Sequence, residues 1–323
     1  MKKIIISIAL AVMPLSSLFA QHIGEEYRLK KVIPVEGRQG IAIDENYYYV
    51  SNTKALYKYD KEGNLLLKND KPFKDPKKVN HFGDIDVFNG EIYAGAELFE
   101  YGRGFNIVIS VYDAKTLQWK RDIPWSPESG QVEVSGLAID REKNMIWMSD
   151  WVDSRYVYCY SLETGKYYTK MQCRPTPYWT QGIFIADGKM LFTADDGEST
   201  YHIADNIYVA DINEVPFTGL VQGTEVVKDT PFSVKLDQNG KVVTRTGLVA
   251  GGAKAGTLKL FREMVDFRRA GEIEGISIDP TNDDLVVLNN RGTQIILGMS
   301  QGPFEKEGYT KEVHELYIYE KIK

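Results

Sequence analysis

Five stretches of the chain share one pattern at a spacing of a few dozen residues, and a repeat of that period constrains architecture more tightly than any single motif. They are QGIAIDENYYYVSNTKALYKYD from Gln39, FGDIDVFNGEIYAGAE from Phe82 running on to NIVISVYD, SGLAIDREKNMIWMSDWVDSRYVYCYS from Ser135, QGIFIADGKMLFTADD from Gln181 running on to NIYVADI, and EGISIDPTNDDLVVLNNRG from Glu274 running on to ELYIYE. Each holds a glycine, an alternating apolar run, a turn rich in Asp, Asn or Gly, a second run ending in polar residues, and a third run. Apolar alternation at a period of two is the mark of a strand. Asn89-Gly90 and Asp187-Gly188 suit the hairpin between first and second strands. No stretch keeps a helical period, so the chain reads as all-β.

Three strands and a closing edge per repeat describe the blades of a β-propeller. The glycines Gly40, Gly83, Gly136, Gly182 and Gly275 would open the innermost strands, where backbones converge on the axis. The step from Gly182 to Gly275 is about twice the others, so the spacing favours six blades over five, with the alternative that a long insertion lies there. SVKLDQNGKVVTRTGLV gives a hairpin and TLKLFREMVDF a strand in that interval, but neither carries the inner-strand signature. The last repeat ends without a fourth strand and EYRLKKVIPV precedes the first, so the strand from Tyr27 to Val35 is expected to join the last blade and close the ring.

The N-terminus bounds the location. Lys2 and Lys3 precede an apolar run from Ile4 to Pro14, and Ala20 stands before Gln21, the form of a secretory signal peptide. Residues 1–20 are therefore expected to be a leader and 21–323 a single propeller domain, exported to the periplasm or secreted. The run is too short to span a bilayer, which needs about 20 apolar residues, so no membrane span is expected. Loss of the two leader lysines takes the formal net charge from −6 to about −8. Nucleic acid is then an unsuitable partner, because a phosphate backbone calls for a basic face. Export also permits a disulfide between Cys159 and Cys173. A hairpin turning at Glu163 to Lys166 would set Cys159 opposite roughly Lys170, about three residues from its counterpart.

The stretch HFGDIDVFNGEIYAGAE resembles a calcium loop locally, yet counting from Asp84 puts Phe88 fifth, Asn89 sixth and Gly95 twelfth, where ligands and a turn glycine are required. Propeller topology gives these residues another role. The start of each first strand and the end of each second strand meet at one channel mouth, which gathers Gln39 with Asn52; His81 and Asp84 with Glu97; Glu133 with Asp150 and Trp151; Gln181 with Asp195, Asp196 and Glu198; and Glu274 with Asn289, Asn290 and Arg291. His81 is a candidate general base, with Asp84 or Glu97 orienting it, since an imidazole exchanges protons near neutral pH. Gln39, Asn52, Glu133, Asp150, Trp151, Gln181, Asp196 and Arg291 are candidate ligand-binding residues. Asp44, Asp86, Asp140 and Asp279 read as strand-end hydrogen-bonders, and Asp60, Asp113 and Asp211 as turn residues. His22, His202 and His314 show no partners in the sequence.

The repeats G-I-A-I-D followed by Y-Y-V-S-N, I-W-M-S-D or V-V-L-N-N resemble those of the six-bladed group that includes NHL and YWTD repeats, gluconolactonase- and paraoxonase-type hydrolases, and phytase-like exported propellers. The resemblance implies a calcium ion at the channel mouth. Carried over by position, Glu274 before Gly275 matches the family's Glu-Gly entry, with Asp195 and Asn290 as co-ligands. Gln, Phe, Ser and Gln stand at the corresponding position of the other repeats, a departure from that pattern.

No G-x-S-x-G elbow, H-E-x-x-H helix, phosphate loop or dinucleotide fingerprint occurs, which disfavours serine hydrolysis and nucleotide chemistry. Two functions remain. One is a monomeric, calcium-dependent hydrolase of a lactone or phosphoester. The other is a non-catalytic propeller holding a small polar molecule, glycan, peptide or envelope protein, with Trp151, Tyr101, Tyr178 and Trp179 as an aromatic platform.

Overall fold

The structure, a computed structural model, describes residues 21–100, 103–152, 154–196, 204–213, 226–228, 234–236, 242–248, 255–267, 271–291 and 312–322. Residues 1–20, the expected leader, therefore lie outside the described residues. Strand β1 (Tyr27–Val35) is followed by blade 1, formed by β2 (Gly40–Ile43), β3 (Tyr47–Asn52), β4 (Ala55–Asp60) and β5 (Leu65–Asn69). Blade 2 holds β6 (His81–Phe88), β7 (Glu91–Glu100), β8 (Arg103–Asp113) and β9 (Trp119–Pro124). Blade 3 holds β10 (Leu137–Asp140), β11 (Met145–Ser149), β12 (Tyr156–Ser161) and β13 (Tyr167–Arg174), and blade 4 opens with β14 (Thr180–Ala186), β15 (Lys189–Ala194) and β16 (Asn206–Asp211).

The interval expected to hide a sixth blade holds an insertion. Strands β17 (Val226–Lys228), β18 (Val234–Leu236) and β19 (Val242–Leu248) make a small separate sheet in the order β17-β19-β18. The expected hairpin is present in it as β18 and β19. Next, β20 (Ala255–Thr257) runs parallel to β13 on the outside of blade 3, and β21 (Lys259–Glu263) pairs with β16 as the outer strand of blade 4. The doubled spacing thus comes from an insertion between the third and fourth strands of one blade, and the ring has five blades rather than six. Blade 5 is β22 (Glu272–Ile278), β23 (Leu285–Arg291) and β24 (Val313–Lys321), with β1 antiparallel along β24 from Tyr27 opposite Lys321 to Val35 opposite His314.

The ring is held by five apolar clusters, one between each pair of neighbouring blades. Alternation within the inner strands explains them, because successive side chains leave a strand on opposite faces. Ile41 and Ile43 pack toward blade 5, whereas Ala42 between them packs toward blade 2. Ile183 and Ile185 likewise face blade 3, and Phe184 faces blade 5. Both faces of an inner strand are buried, which is why Gly40–Ile43 is buried at every position. At the axis the backbones touch: a Cβ on Gly275 would lie 2.6 Å from the Cα of Gly40, so glycine there is a matter of space.

Turn aspartates hold the hairpins. Asp44 Oδ1 accepts the N–H groups of Asn46 and Tyr47, Asp279 Oδ1 those of Thr281, and Asp60 and Asp113 do the same for their own turns. Cys159 and Cys173 are buried, unbonded thiols. Cys159 faces Thr169, one residue from the expected Lys170, because the turn closes earlier, between Ser161 and Lys166, and a register shift between Cys159 and Tyr160 recovers only part of the offset.

Candidate functional site

His81 and Glu97 are direct cross-strand partners in the antiparallel pair β6–β7, so they lie on one face of the same blade at the channel mouth. His81 Nδ1 is 3.2 Å from Glu97 Oε1. Phe99 stacks on the imidazole with ring centroids 5.1 Å apart and fixes its tilt. The second oxygen of Glu97 accepts the backbone N–H of Val134 at 3.0 Å. Glu133, on the loop leading to β10, accepts the N–H of Trp151 at 2.5 Å. The side chains of Glu97 and Glu133 also hydrogen-bond each other, and donor atoms of His81, Glu97 and Glu133 all lie within 4.8 Å. Burial pushes the carboxyl of Glu133 well above the usual carboxylate range, and the neighbouring Glu97 charge adds to this. Glu97 is raised by burial as well, with His81 pulling the other way. Two acids in contact cannot both ionise cheaply, so one holds a proton.

Glycine makes the cluster possible. A Cβ on Gly104 of β8 would overlap Glu97 Oε2. No other residue leaves that carboxyl its place.

These groups border a cavity of about 230 Å³, to which every blade contributes: Arg38, Gln39 and Thr53 from blade 1, His81, Gly83 and Phe99 from blade 2, Glu133, Ser135 and Trp151 from blade 3, Gln181 from blade 4, and Glu272 and Glu274 from blade 5. On the wall opposite the histidine, Gln181 Nε2 donates to Glu272 Oε1 at 2.7 Å, and Arg38 lies 3.7 Å from the other oxygen of Glu272. Burial raises Glu272 to about 7 despite Arg38, and burial among acids raises Asp205 to about 8 beside Asp195. Asp195 is pushed well above its ordinary value by burial, then by the charges of Asp205 and Glu272. The guanidinium of Arg38 keeps its Nε without a partner among the described residues.

Several residues expected at the mouth have other duties. Asp84 is fully buried at the axis, where Oδ1 accepts the N–H groups of Ile41 and Ile85, and Oδ2 that of Ile183. Glu97, not Asp84, contacts His81. Asn52 donates to Glu36 O, Asp150 accepts the buried hydroxyl of Tyr158, Asp196 accepts from Asn206 and Tyr208, and Arg291 pairs with Glu315 at 2.5 Å. None of these four lines the cavity. His22 binds Asp187, and His314 binds Asn290. Tyr101, Glu198 and His202 lie outside the described residues.

Of the expected calcium ligands, Glu274 and Asn290 meet, but through the nitrogen of the amide. Asn290 Nδ2 donates to Glu274 Oε1 at 2.7 Å and to Arg38 O at 2.7 Å, while its oxygen meets His314 Nδ1 at 3.0 Å. Asn290 therefore turns nitrogen, not oxygen, toward Glu274. A hard cation needs oxygens from both, so this donor set does not fit calcium.

Glu272 and Arg38 escaped the sequence reading although they stand three and two residues before Gly275 and Gly40, the offsets at which Glu133 and His81 precede their own inner-strand glycines. In E-I-E-G the alternation that places Glu274 at the mouth places Glu272 there too. The aromatic platform is present in part: Trp151 and Trp179 stack at 6.2 Å and 20°, with Tyr178 6.2 Å further on.

No protein-family model matches the chain, and no curated protein matches it. Among solved structures, the crystal structure of Myxococcus xanthus glutaminyl cyclase is similar, with a TM-score of 0.50 and 9% sequence identity over 92% of this chain and 97% of that one. At that identity the likeness concerns the fold.

Proposed function

We propose that the channel mouth is the working site of an exported propeller that binds a small polar ligand and hydrolyses it, with lactones and phosphoesters as the substrate classes. One observation carries this reading: the His81–Glu97–Glu133 cluster is assembled from two blades, its two carboxyls are buried, and it reaches the cavity through His81 and Glu133. Hydrolysis needs a group that takes a proton from water and a group that returns one to the leaving oxygen. His81, with one ring nitrogen engaged by Glu97, keeps the other to accept a proton, and the carboxylate steadies the imidazolium so formed. Glu133, kept neutral by burial beside Glu97, supplies the acid. Arg38, which lines the same cavity and lies 3.7 Å from Glu272, offers positive charge to a phosphate or a developing oxyanion.

The test is a screen of aryl lactones and phosphoesters with the leaderless chain, repeated on His81→Gln and Glu97→Gln. Turnover lost in both variants, with melting temperature preserved, supports hydrolysis at this site. Turnover absent across both classes removes the hydrolytic reading.

A second reading rests on the Trp151–Trp179 stack. Two parallel indoles beside a cavity suit the apolar face of a sugar ring, so glycan binding without turnover is the alternative. Trp179 holds φ at 50°, a left-handed conformation that costs a non-glycine residue of order 1–3 kcal/mol and is concentrated at ligand sites.

A further inference from the structure

We propose that His81, Glu97 and Glu133 form a binding site for a zinc-class divalent metal ion, a site distinct from the calcium position the family resemblance implies. The inference rests on the reading of the channel mouth as the working site and would replace the proton-transfer roles given there to His81 and Glu133: with an ion bound both are ligands, and the ion would supply the activated water. Three observations carry it.

The first is spacing. Zinc bonds to histidine nitrogen and carboxylate oxygen are about 2.0–2.2 Å, so two such ligands on one ion stand about 3.0 Å apart at a right angle and about 3.4 Å apart in a tetrahedron. His81 Nδ1 and Glu97 Oε1 are 3.2 Å apart, between those values, and Glu133 lies within 4.8 Å, so its carboxyl would close by up to about 1.4 Å to reach tetrahedral spacing. A nitrogen donor with two carboxylates suits a borderline metal rather than calcium, which takes six to eight oxygens.

The second is how each acid is held. One oxygen of Glu97 is pinned by the N–H of Val134, and one of Glu133 by the N–H of Trp151. Backbone donors thereby orient both carboxyls, the arrangement that outer partners impose on metal ligands. Gly104 leaves room for the Glu97 carboxyl that any side chain would take.

The third is charge. Two carboxyls, 0% and 2% exposed, abut with no lysine or arginine bonded to either among the described residues. An abutting buried acid pair needs a proton or a cation between its oxygens. Three protein donors beside an open cavity are the ligand count of a catalytic rather than a structural zinc site, and such an ion polarises a substrate oxygen and acidifies water.

The test uses the leaderless chain without a histidine tag, stripped with chelator and desalted. Zinc is added in twofold excess, the chain is desalted again, and bound metal is measured by mass spectrometry beside the melting temperature. Cobalt(II) is loaded in parallel and its visible spectrum recorded. The proposal expects one zinc per chain, a raised melting temperature and a cobalt band of low-symmetry coordination. In His81→Gln and Glu133→Gln, zinc affinity should fall at least tenfold, while Glu274→Gln should bind as the parent does. No retained zinc and no thermal shift would overturn the proposal, and so would retention unchanged by His81→Gln and Glu133→Gln. The two readings fail separately. Stoichiometric zinc without turnover supports the metal site and overturns the hydrolytic reading, whereas full turnover by a chain that retains no zinc overturns the metal site alone.

Discussion

The carboxyl of Asp84 in blade 2 reaches across the ring axis to the backbone N–H of Ile183 in blade 4, 3.3 Å away, while its other oxygen holds Ile41 of blade 1 at 3.1 Å. One side chain thus satisfies buried amides of three inner strands, counting its neighbour Ile85. Asp84→Ala would leave three buried N–H groups without an acceptor, each worth about 1–3 kcal/mol. The expected result is a loss of about 3 kcal/mol or more in urea unfolding, or failure to accumulate as folded protein. A variant of unchanged midpoint would show that water replaces the carboxyl at the axis.

At the mouth, His81 and Glu97 should behave as a unit. Once a substrate is in hand, His81→Gln and Glu97→Gln are each expected to lower kcat by about 10²–10⁴, the usual range for general acid–base groups. The double variant should lose little more than either single one, because the second group acts through the first. Additive losses would show that the two act independently.

Glu272 and Asp205 make stability fall as pH rises. Their folded values, about 7 and about 8, lie above the roughly 4 of an unfolded carboxyl, so between those limits the folded chain holds protons that the unfolded chain has lost. Their contribution is complete below about pH 4, erodes as pH climbs through 7 and 8, and levels off above. Urea midpoints at pH 5.5, 7 and 8.5 should decline, and Glu272→Gln with Asp205→Asn should flatten that decline. An equal slope in parent and variants would place the titration elsewhere.

The strand Tyr27–Val35 lies along β24, and Ile33 is buried in the cluster between blades 5 and 1. Deleting residues 21–36 removes that packing and bares the edge of β24, which invites pairing with other chains. Light scattering and thermal melting should show a lower melting temperature together with oligomers. A monomer of unchanged stability would contradict this.

If glycans are the ligands, Trp179→Ala should weaken binding on an oligosaccharide array followed by calorimetry about tenfold, since aromatic pairs contribute about 0.5–1.5 kcal/mol beyond area burial and the stack on Trp151 would be gone. His81→Gln should leave that affinity nearly intact. The reverse ranking would assign the cavity to the acid cluster.

The propeller was legible because its period survives in the residues: each inner strand must bury both faces, so Ile41-Ala42-Ile43 and Leu137-Ala138-Ile139 announce themselves. The blade count was not, because spacing between glycines cannot distinguish a blade from an insertion made inside one. The meeting of His81 and Glu97 followed from strand ends alone. Asp84 misled, since an acid at the head of an inner strand can point along the axis as readily as to the mouth, and only the packing of Gly40 and Gly275 against it decides. Asn290 misled for a different reason: which end of an amide faces Glu274 is set by His314 and the carbonyl of Arg38, both distant in sequence.

Blades 3 and 4 share more than side chains. β20 is laddered to the outside of blade 3, β21 to the outside of blade 4, and Leu258, the single residue between them, is buried in the cluster separating the two. This junction is stitched by continuous main chain at its outer margin, so prying it open means breaking one of two hydrogen-bonded ladders along with an apolar interface. The seams of the ring are therefore of unequal strength. When the ring loosens, in heat or under load, these two blades should part late and travel as a pair, carrying Glu133 and Gln181 together while His81 moves apart from them across the neighbouring seam.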